Sequence, residues 1–332
     1  QSVGNLIIQK PGFSKKPGFS SFGEGHAMKA HHRPAFTITQ LLVIVVLLAI
    51  LAGLLLPFVF QVRVSSGRVQ SQNNLRQIAL ALHNYNDTNG KLPPGNDNNN
   101  FSTAAYLLPY IEQNAVYNQI DFKKPADDKA NAGARKAVIK VYLSPLDPQP
   151  AVRGDWGATN YLFNAGTKAA LAENDGVFFQ DSKSKIPQTF LDGTSNTIVA
   201  GETLKGQAAK KPPDVRRQHV ALKKDALKDL KESAGVDDFK AGKNLAADRC
   251  ASWMDGRFLQ GTFNAGRVPN DLRPDVNCQG LGGWSALRSL DDEINVAMGD
   301  GSVRSINART IKAETWKALL TPAGGEELGN DF

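Results

Sequence analysis

The stretch that decides the fold is residues 41–60, LLVIVVLLAILAGLLLPFVF, which carry no charged side chain. An α-helix rises about 1.5 Å per residue, so a helix of this length covers roughly the 30 Å apolar core of a bilayer. Leu, Val and Ile occupy every side of that helix, so no face is left polar for water. The run is longer than the apolar region of a cleaved secretory signal and does not end in a small-residue cleavage site. The pattern predicts a retained transmembrane segment over about residues 41–60.

The helical pattern continues beyond this run as a single apolar stripe. Apolar residues recur mostly every three or four positions between Val69 and Leu82, with polar residues between them. Turn-forming residues at positions 88–90 and 93–95 then end the pattern. One helix is therefore predicted from Phe36 to about Asp87, in a helical region, 36–88, that follows a polar leader, residues 1–35.

The charges on either side of the apolar run predict its orientation. Five Lys or Arg residues precede the run, and three follow it before residue 77. This bias favours a cytoplasmic N-terminus and places the chain after about residue 62 outside the cytoplasm. Met28 is an alternative start that would leave a short basic leader directly ahead of the run.

Residues 89–332 form a head that is long enough for a substantial core. Near its end, Asp300-Gly301 separates two runs of alternating apolar and polar residues, which is typical of a β-hairpin over about 294–306. Because the strands mostly follow one another and the helices lie apart from them, the pattern predicts an α+β fold with an antiparallel sheet. The other predicted elements are helices over 101–120 and 313–320 and strands over 138–143, 176–180 and 197–202.

One segment of the head, about residues 205–249, is strongly basic. It holds twelve Lys or Arg against seven Asp or Glu, which is most of the net charge of +7. Apolar residues at roughly helical spacing between Val220 and Ala234 predict an exposed amphipathic helix there. The segment is either a solvated surface insertion or a contact for an anionic surface polymer or lipid headgroups. The overall charge is weak evidence for nucleic acid, and we expect no nucleic-acid partner.

The sequence offers no catalytic constellation, so we expect a protein that is not an enzyme and needs no cofactor. Three of the five His residues lie in the leader, and the common hydrolase, zincin and P-loop motifs are missing. Ser195 has no evident base beside it. Asp255 and Asp300 each precede a Gly, which is first of all a turn signal, and they are weak candidates for a calcium site.

The two cysteines, Cys250 and Cys278, lie in the part of the chain predicted to be outside the cytoplasm. Two thiols in an oxidising compartment pair when their Cα atoms approach within about 7 Å. We therefore expect a Cys250–Cys278 disulfide.

Residues 34–43, PAFTITQLLV, resemble the class III signal of type IV prepilins and pseudopilins, in which a Phe begins an apolar helix. A proline twenty-one positions after the Phe is common in those proteins, and Pro57 matches it. The chain resembles more specifically a planctomycete-type prepilin-like family of unknown function, whose C-terminal domain carries a His, nine residues, Asp-Gly motif. Matching motifs follow in order along the chain: 73–85 (NNLRQIALALHNY), 92–95 (LPPG), 159–161 (TNY), 175–178 (DGVF), 192–197 (DGTSNT), 253–257 (WMDGR), 295–304 (NVAMGDGSVR) and 316–319 (WKAL).

The chain also departs from that pattern at five positions. In the family a Gly precedes the Phe, a Glu follows four residues after it, a His stands nine residues before Asp-Gly, and two positions are usually Cys. Loss of both Cys residues indicates one disulfide given up as a unit. The residues found here are Ala35 for Gly, Gln40 for Glu, Leu290 for His, and Ser71 and Ser144 for the two Cys.

The resemblance implies a membrane-anchored pseudopilin-like structural subunit of a type II secretion or type IV pilus-like assembly. Its implied location is the cytoplasmic (inner) membrane, with a single pass and the head in the periplasm or at the cell surface. Its implied partners are the membrane, other pilin-like subunits and a prepilin peptidase acting at Ala35, Phe36 and Gln40. Because Gln40 cannot neutralise the amine of a neighbouring Phe as Glu would, we expect a minor or tip-like subunit. The alternative is a non-polymerising, membrane-tethered envelope binding protein.

We predict that the Ala35–Phe36 bond is cleaved slowly or incompletely. The methyl group of Ala35 stands where Gly permits close approach of the backbone to a peptidase. Ala35→Gly should therefore accelerate removal of the leader, which the intact mass of the purified protein reports. Equal rates for the wild type and the variant would show that this methyl group does not matter.

Overall fold

The longest element of the protein is a single helix, α1, Ile38–Asn89, of 52 residues. A computed structural model describes residues 37–207, 214–329 and 331–332, and it gives no side-chain description for residues 52–64. The helix starts with a capping box: the Thr37 N–H donates to Gln40 Oε1 (3.1 Å), and the Gln40 N–H donates to Thr37 Oγ1 (3.4 Å). It ends at Gly90, whose φ of 69° and N–H bond to the Asn86 carbonyl (2.7 Å) close the last turn. The prediction of one helix over this region is confirmed.

The chain divides into two compact units, residues 1–56 and 57–332. In the first unit, the described part of α1 over residues 38–51 has eleven large apolar side chains, each between 40% and 85% exposed. Within the described residues, no helix combines the length and the apolar character needed to cross a membrane. This finding corrects the predicted transmembrane first half of α1. The proposed cleavage residues Ala35 and Phe36 lie outside the described residues.

In the second unit, α1 contributes one face to the main hydrophobic core. Leu75, Ile78, Ala79 and Leu82 recur at helical spacing and are at most 1% exposed. They belong to a cluster that includes aromatic and aliphatic side chains from distant parts of the head, among them Phe101, Tyr142, Phe178 and Trp253. The amphipathic second half of the helix is thus an integral layer of the head.

Two small sheets form the rest of the framework. The strands are β1 Tyr161–Asn164, β2 Ile198–Glu202, β3 His219–Leu222, β4 Leu245–Ala246, β5 Thr262–Phe263, β6 Asp275–Cys278, β7 Gly283–Trp284, β8 Glu293–Met298 and β9 Val303–Asn307. One sheet has the order β5-β1-β2-β8-β9 and the other β4-β3-β6-β7. The pairs β1–β5 and β3–β6 are parallel, and the remaining pairs are antiparallel. The predicted α+β class therefore holds, but its purely antiparallel sheet is wrong, because long connections bring β5 and β6 back alongside earlier strands.

Short helices connect these strands. The α-helices are α2 Thr103–Leu107, α3 Asn114–Tyr117, α4 Ala132–Arg135, α5 Val236–Lys240 and α6 Ala313–Ala318. The 3-10 helices cover Leu108–Ile111, Lys129–Asn131, Lys140–Tyr142, Val215–Arg217 and Lys224–Asp229. The predicted helix over 101–120 is thus three short helical pieces, and the predicted closing helix over 313–320 is confirmed as α6.

Among the other local predictions, two are confirmed and two are wrong. The hairpin is β8–β9, and Gly301 in its turn has a φ of 87°. The predicted strand over 197–202 is β2. The predicted strand over 138–143 contains a 3-10 helix instead, and residues 176–180 form no strand.

The predicted amphipathic helix in the basic segment is wrong. This part of the chain contains β3 and then a 3-10 helix. Val220 is fully buried and pairs with Val276 of the distant strand β6. Because that partner is 56 positions away, the apolar spacing of the segment could not reveal the pairing.

We predict that Leu82→Ala destabilises the head and that Leu80→Ala does not. Leu82 is 1% exposed in the main core and Leu80 is 61% exposed on the same helix. Truncation of a fully buried leucine costs about 2–5 kcal/mol, whereas an exposed one costs about 0.5 kcal/mol or less. Denaturant unfolding of the two variants measures the difference. Equal losses would mean that α1 does not pack on the head as described.

Candidate functional site

A buried polar cluster lies where α1 meets the head, and we call it the joint. It consists of Ser71, Asn74, Ser144, Tyr161, Glu202 and Asn295. On the α1 side, the Ser71 Oγ lies 3.1 Å from the Tyr161 hydroxyl, and the Asn74 Nδ2 donates to that hydroxyl (3.2 Å) and to the Leu143 carbonyl (2.9 Å). Burial raises the pKa of Tyr161 above its usual range, so the phenol is neutral and serves as a hydrogen-bonding group.

The carboxyl of Glu202 is the centre of the joint. Its Oε2 accepts from the Asn295 Nδ2 (2.7 Å), and its Oε1 is hydrogen-bonded to the Ser144 hydroxyl. Burial raises the pKa of Glu202, while hydrogen bonds from Ser144, Ser71 and Asn295 oppose the shift. The residues of the joint come from α1, from the loop that holds Ser144, and from strands β1, β2 and β8. The joint therefore links α1 to three neighbouring strands of the larger sheet.

A second set of contacts surrounds the joint at its more exposed side. The Arg68 guanidinium forms ion pairs with Asp291 (2.7 Å) and with Glu293. The Gln72 Nε2 donates to the Ser305 Oγ of β9 (3.2 Å). Half-exposed ion pairs of this kind contribute little to the free energy of unfolding, so their main effect is to fix the register of the helix on the sheet.

A cavity of about 230 Å³ adjoins the joint. Leu290, which stands where the resembling family has its His, lines it and is 48% exposed. The fully buried ion pair of Arg288 with Asp275 (2.5 Å) anchors one wall. The cavity is lined by Leu146, Asp147, Glu202, Thr203, Leu204, Arg288, Ser289, Leu290, Asp291 and Ile294.

Two basic side chains of the segment 205–249 form buried ion pairs beside this cavity. The Asp147 carboxylate forms ion pairs with the buried Lys205 ammonium (3.4 Å) and the buried Arg217 guanidinium (2.9 Å). Burial alone would raise the pKa of Asp147, but the ammonium of Lys205 and the guanidinium of Arg217 hold it below its usual value. Lys205 and Arg217 therefore form ion pairs inside the protein and do not contribute to a basic outer surface.

Gln40, the residue predicted to matter for assembly, has a local structural role. Its side-chain amide satisfies the Thr37 N–H at the start of α1. A Glu would serve the same capping box, since either side chain supplies the oxygen. The capping role therefore does not explain why Gln stands at this position.

The predicted Cys250–Cys278 disulfide is not formed: both cysteines are free and buried. Cys250 belongs to the core cluster of the larger sheet, whereas Cys278 is the last residue of β6 in the smaller sheet, paired with Leu222. Burial raises the pKa of both thiols to about 11. The two thiols are therefore held in the interior without a bond between them, which spacing in the sequence could not indicate.

The two weak calcium candidates are each engaged in local bonds. The Asp255 carboxylate pairs with the Arg257 guanidinium (2.6 Å), and the Asp300 Oδ1 accepts from the Ser302 N–H (2.9 Å) and hydroxyl (2.7 Å). Within the described residues, no group of three or more His, Cys, Asp or Glu side chains could hold a metal ion. Asp300-Gly301 forms the turn of the β8–β9 hairpin, whereas Asp255 pairs with Phe101 in an isolated β-bridge.

Sequence reasoning singled out Ser71 and Ser144 but missed their partners. The two serines attracted attention as replacements of family cysteines, and the structure brings both to Glu202. Glu202 carried one signal, a charged group at the end of a short apolar strand, and Tyr161 carried another, its place in the 159–161 (TNY) motif. Tyr161 and Glu202 lie about 90 and 130 positions along the chain from Ser71 of α1, so no local pattern could reveal that they contact this helix.

We predict that the stability of Glu202→Gln, relative to that of the wild type, increases as the pH rises. A carboxyl whose folded pKa is raised contributes stability below its unfolded pKa of about 4.5 and loses it as the pH rises through the folded value. Gln stays neutral, so the stability of the variant minus that of the wild type should increase between pH 4 and pH 8. The increase is about 1.4 kcal/mol for each pH unit that separates the folded pKa from the unfolded one. Thermal unfolding across this range measures the difference, with the exposed Glu232→Gln as control. A pH-independent difference would contradict the burial of this carboxyl.

Comparison with known proteins identifies a family for most of the chain. The model of a family described as "Protein of unknown function (DUF1559)" matches residues 61–311, which include the second half of α1 and nearly all of the head. No curated protein and no solved structure matches the chain. The prepilin-like motif at residues 34–43 lies outside the matched span. This match fits the resemblance to a planctomycete-type prepilin-like family of unknown function, and the chain belongs to the DUF1559 family.

Proposed function

We propose that the protein is a pseudopilin-like structural subunit that assembles with other pilin-like subunits through the first part of α1. The observation that carries this proposal is the contrast along one helix. Leu47 is 59% exposed, whereas Leu75 and Leu82 are at most 1% exposed. Exposed apolar surface of this extent marks an interaction site.

The distribution of the exposed side chains favours several helical partners. Residues 38–51 contain no charged side chain, and apolar groups are exposed on every side of the helix. A helix that is apolar all round is stable when it is surrounded, whereas a helix that fits one groove needs only one apolar stripe. Packing among like helices of neighbouring subunits satisfies this requirement.

The other part of α1 suits the same role. The apolar contacts of Leu75 to Leu82 and the polar contacts of the joint hold it to the head. A force or a displacement applied to the helix would therefore be transmitted to the head. Such a connection is what a structural subunit requires, and we infer a structural role rather than an enzymatic one.

Gln40 supports a minor or tip-like position in the assembly. The resemblance implies that a Glu at this place pairs with the N-terminal amine of a neighbouring subunit. Gln40 carries no charge, and its amide oxygen accepts from the Thr37 N–H. An uncompensated ammonium among apolar helices is costly, so a Gln40 subunit should add poorly to the body of a long filament.

The first test compares Leu47→Gln with Leu80→Gln in the full-length chain. The two leucines lie on the same helix and are nearly equally exposed, at 59% and 61%. Leu47→Gln should weaken self-association or association with a pilin-like partner by about tenfold, because it places an amide within the apolar contact. Leu80→Gln should leave association unchanged. Sedimentation velocity over a range of concentrations gives the result.

Two outcomes would contradict the proposal. Equal behaviour of the two variants would show that the first part of α1 is not the assembly surface and would favour a non-polymerising envelope binding protein. Long homopolymers formed by the wild type alone would contradict the minor or tip-like position. Gln40→Glu should instead lengthen the assemblies.

A further inference from the structure

A second cavity, on the head and separate from the joint, forms a polar groove of about 480 Å³. We call it the Trp156 groove. Its volume falls in the range of about 300–1,000 Å³ that is typical of ligand sites. Its walls are Asp127, Arg153, Trp156, Asp248, Ala251, Asp255, Arg257, Phe258, Gln260, Asn277, Gln279 and Gly280.

We propose that the Trp156 groove binds a neutral, hydroxyl-rich carbohydrate chain. This inference is independent of the proposed assembly role, because none of the residues that line the groove belongs to α1. It rests on three observations: side-chain groups that lack hydrogen-bond partners, a lining without net positive charge, and a rigid surrounding backbone.

Several polar groups of the groove have capacity left for a ligand. Among the described residues, the Gln279 side chain has no hydrogen-bond partner, and the Asn277 side chain is used only through its Oδ1, which accepts from the Gly280 N–H (2.7 Å). The Asp248 carboxylate is 51% exposed and lies 3.6 Å from the His219 Nε2, and burial lowers the pKa of that imidazole and so favours its neutral form. The groove thus presents free amide donors beside a free carboxylate acceptor. A sugar hydroxyl, which donates and accepts at once, can satisfy both kinds of group.

The charges of the groove nearly cancel. Arg257 is bound by Asp255 (2.6 Å) and Asp127 (3.3 Å), so its charge is compensated within the protein. The remaining groups, Arg153 and Asp248, carry one charge of each sign, so the three Asp and two Arg side chains that line the groove have a net charge of −1. A groove without net positive charge does not attract a polyanion, so a neutral chain fits it better than an anionic polymer.

Aromatic packing fixes the flexible cation Arg153 at the wall of the groove. The Arg153 guanidinium lies 4.2 Å from the centre of the Trp156 ring, and the Arg135 guanidinium lies 4.7 Å from it. The carboxylate nearest to Arg153 in the described part of the chain is that of Asp155, at 3.9 Å. The ring therefore holds a planar pair of N–H donors at the wall, a geometry that suits two adjacent hydroxyl groups.

The backbone around the groove is held in uncommon conformations. Gln279, Leu259 and Cys250 have φ values of 52°, 64° and 56°, in the left-handed region that non-glycine residues seldom adopt. The Cys250 N–H donates to the Leu259 carbonyl (2.8 Å), and the Phe258 N–H donates to the Gly280 carbonyl (2.9 Å), so these segments brace one another. Such strain is concentrated at functional sites, where it places side chains in advance of binding.

Calorimetric titration of the full-length protein with three neutral hexasaccharides, maltohexaose, xylohexaose and chitohexaose, tests the proposal. At least one should bind with a Kd in the millimolar range or tighter. Gln279→Ala and the isosteric Asp248→Asn should each weaken that binding by about tenfold, the effect of losing one or two hydrogen bonds. Gln119→Ala, an exposed glutamine outside the groove, is the matched control and should bind as the wild type does.

The outcomes are distinguishable from failure of the variants to fold, because circular dichroism and the melting temperature of each variant are measured beside the titration. Absence of binding to all three sugars overturns the proposal. Binding that Gln279→Ala and Asp248→Asn leave unchanged while both remain folded also overturns it. Binding of the anionic polymer polygalacturonate in place of the neutral chains would show that the assigned ligand class is wrong.

Discussion

The packing of α1 against the head is the contact on which the rest of the structure depends. Five apolar side chains from Leu75 to Leu82 enter the main core, and the joint connects the turn before them to the sheet. These two kinds of contact have different consequences. The apolar contacts supply most of the stabilisation, because burial of a large apolar side chain is worth about 1.5–3 kcal/mol. The polar joint adds specificity of register, because a shift of the helix would take the Ser71 and Asn74 side chains away from the buried hydroxyl of Tyr161.

The two halves of α1 differ in the character of their surfaces, and the functional proposal is based on this difference. Its second half is amphipathic and is satisfied within the head. Its described first half, residues 38–51, is apolar on all sides and exposed. Since water is a poor solvent for such a helix, assembly with similar helices is the most direct way to cover it. The basic segment, in contrast, directs several of its cations inward: Lys205, Arg217 and Arg249 pair with buried Asp147 and Asp275. These three cations therefore have a structural role inside the head, whereas Lys223, Lys224, Lys228, Lys231, Lys240 and Lys243 of the same segment are exposed.

Local patterns predicted some parts of this fold well. The helix could be predicted because its apolar period and the turn residues at its C-terminal end are local signals. The β8–β9 hairpin could be predicted because Asp300-Gly301 supplies the turn. The strands β3 and β6 could not, since their pairing joins residues 56 positions apart and overrides the helical spacing near Val220. The same limit applies to the joint, and to Cys250 and Cys278, which the sequence analysis paired although both are free in the structure.

Hydrogen–deuterium exchange along α1, measured at low and high protein concentration, tests the central claim most directly. Amides of residues 75–82 should be protected at both concentrations, because they open only when the head unfolds. Amides of residues 38–51 should exchange rapidly at low concentration and become protected at high concentration, as neighbouring subunits cover the helix. Protection of residues 38–51 that does not depend on concentration, or rapid exchange of residues 75–82, would contradict a helix that is fixed in the head at one end and free for assembly at the other.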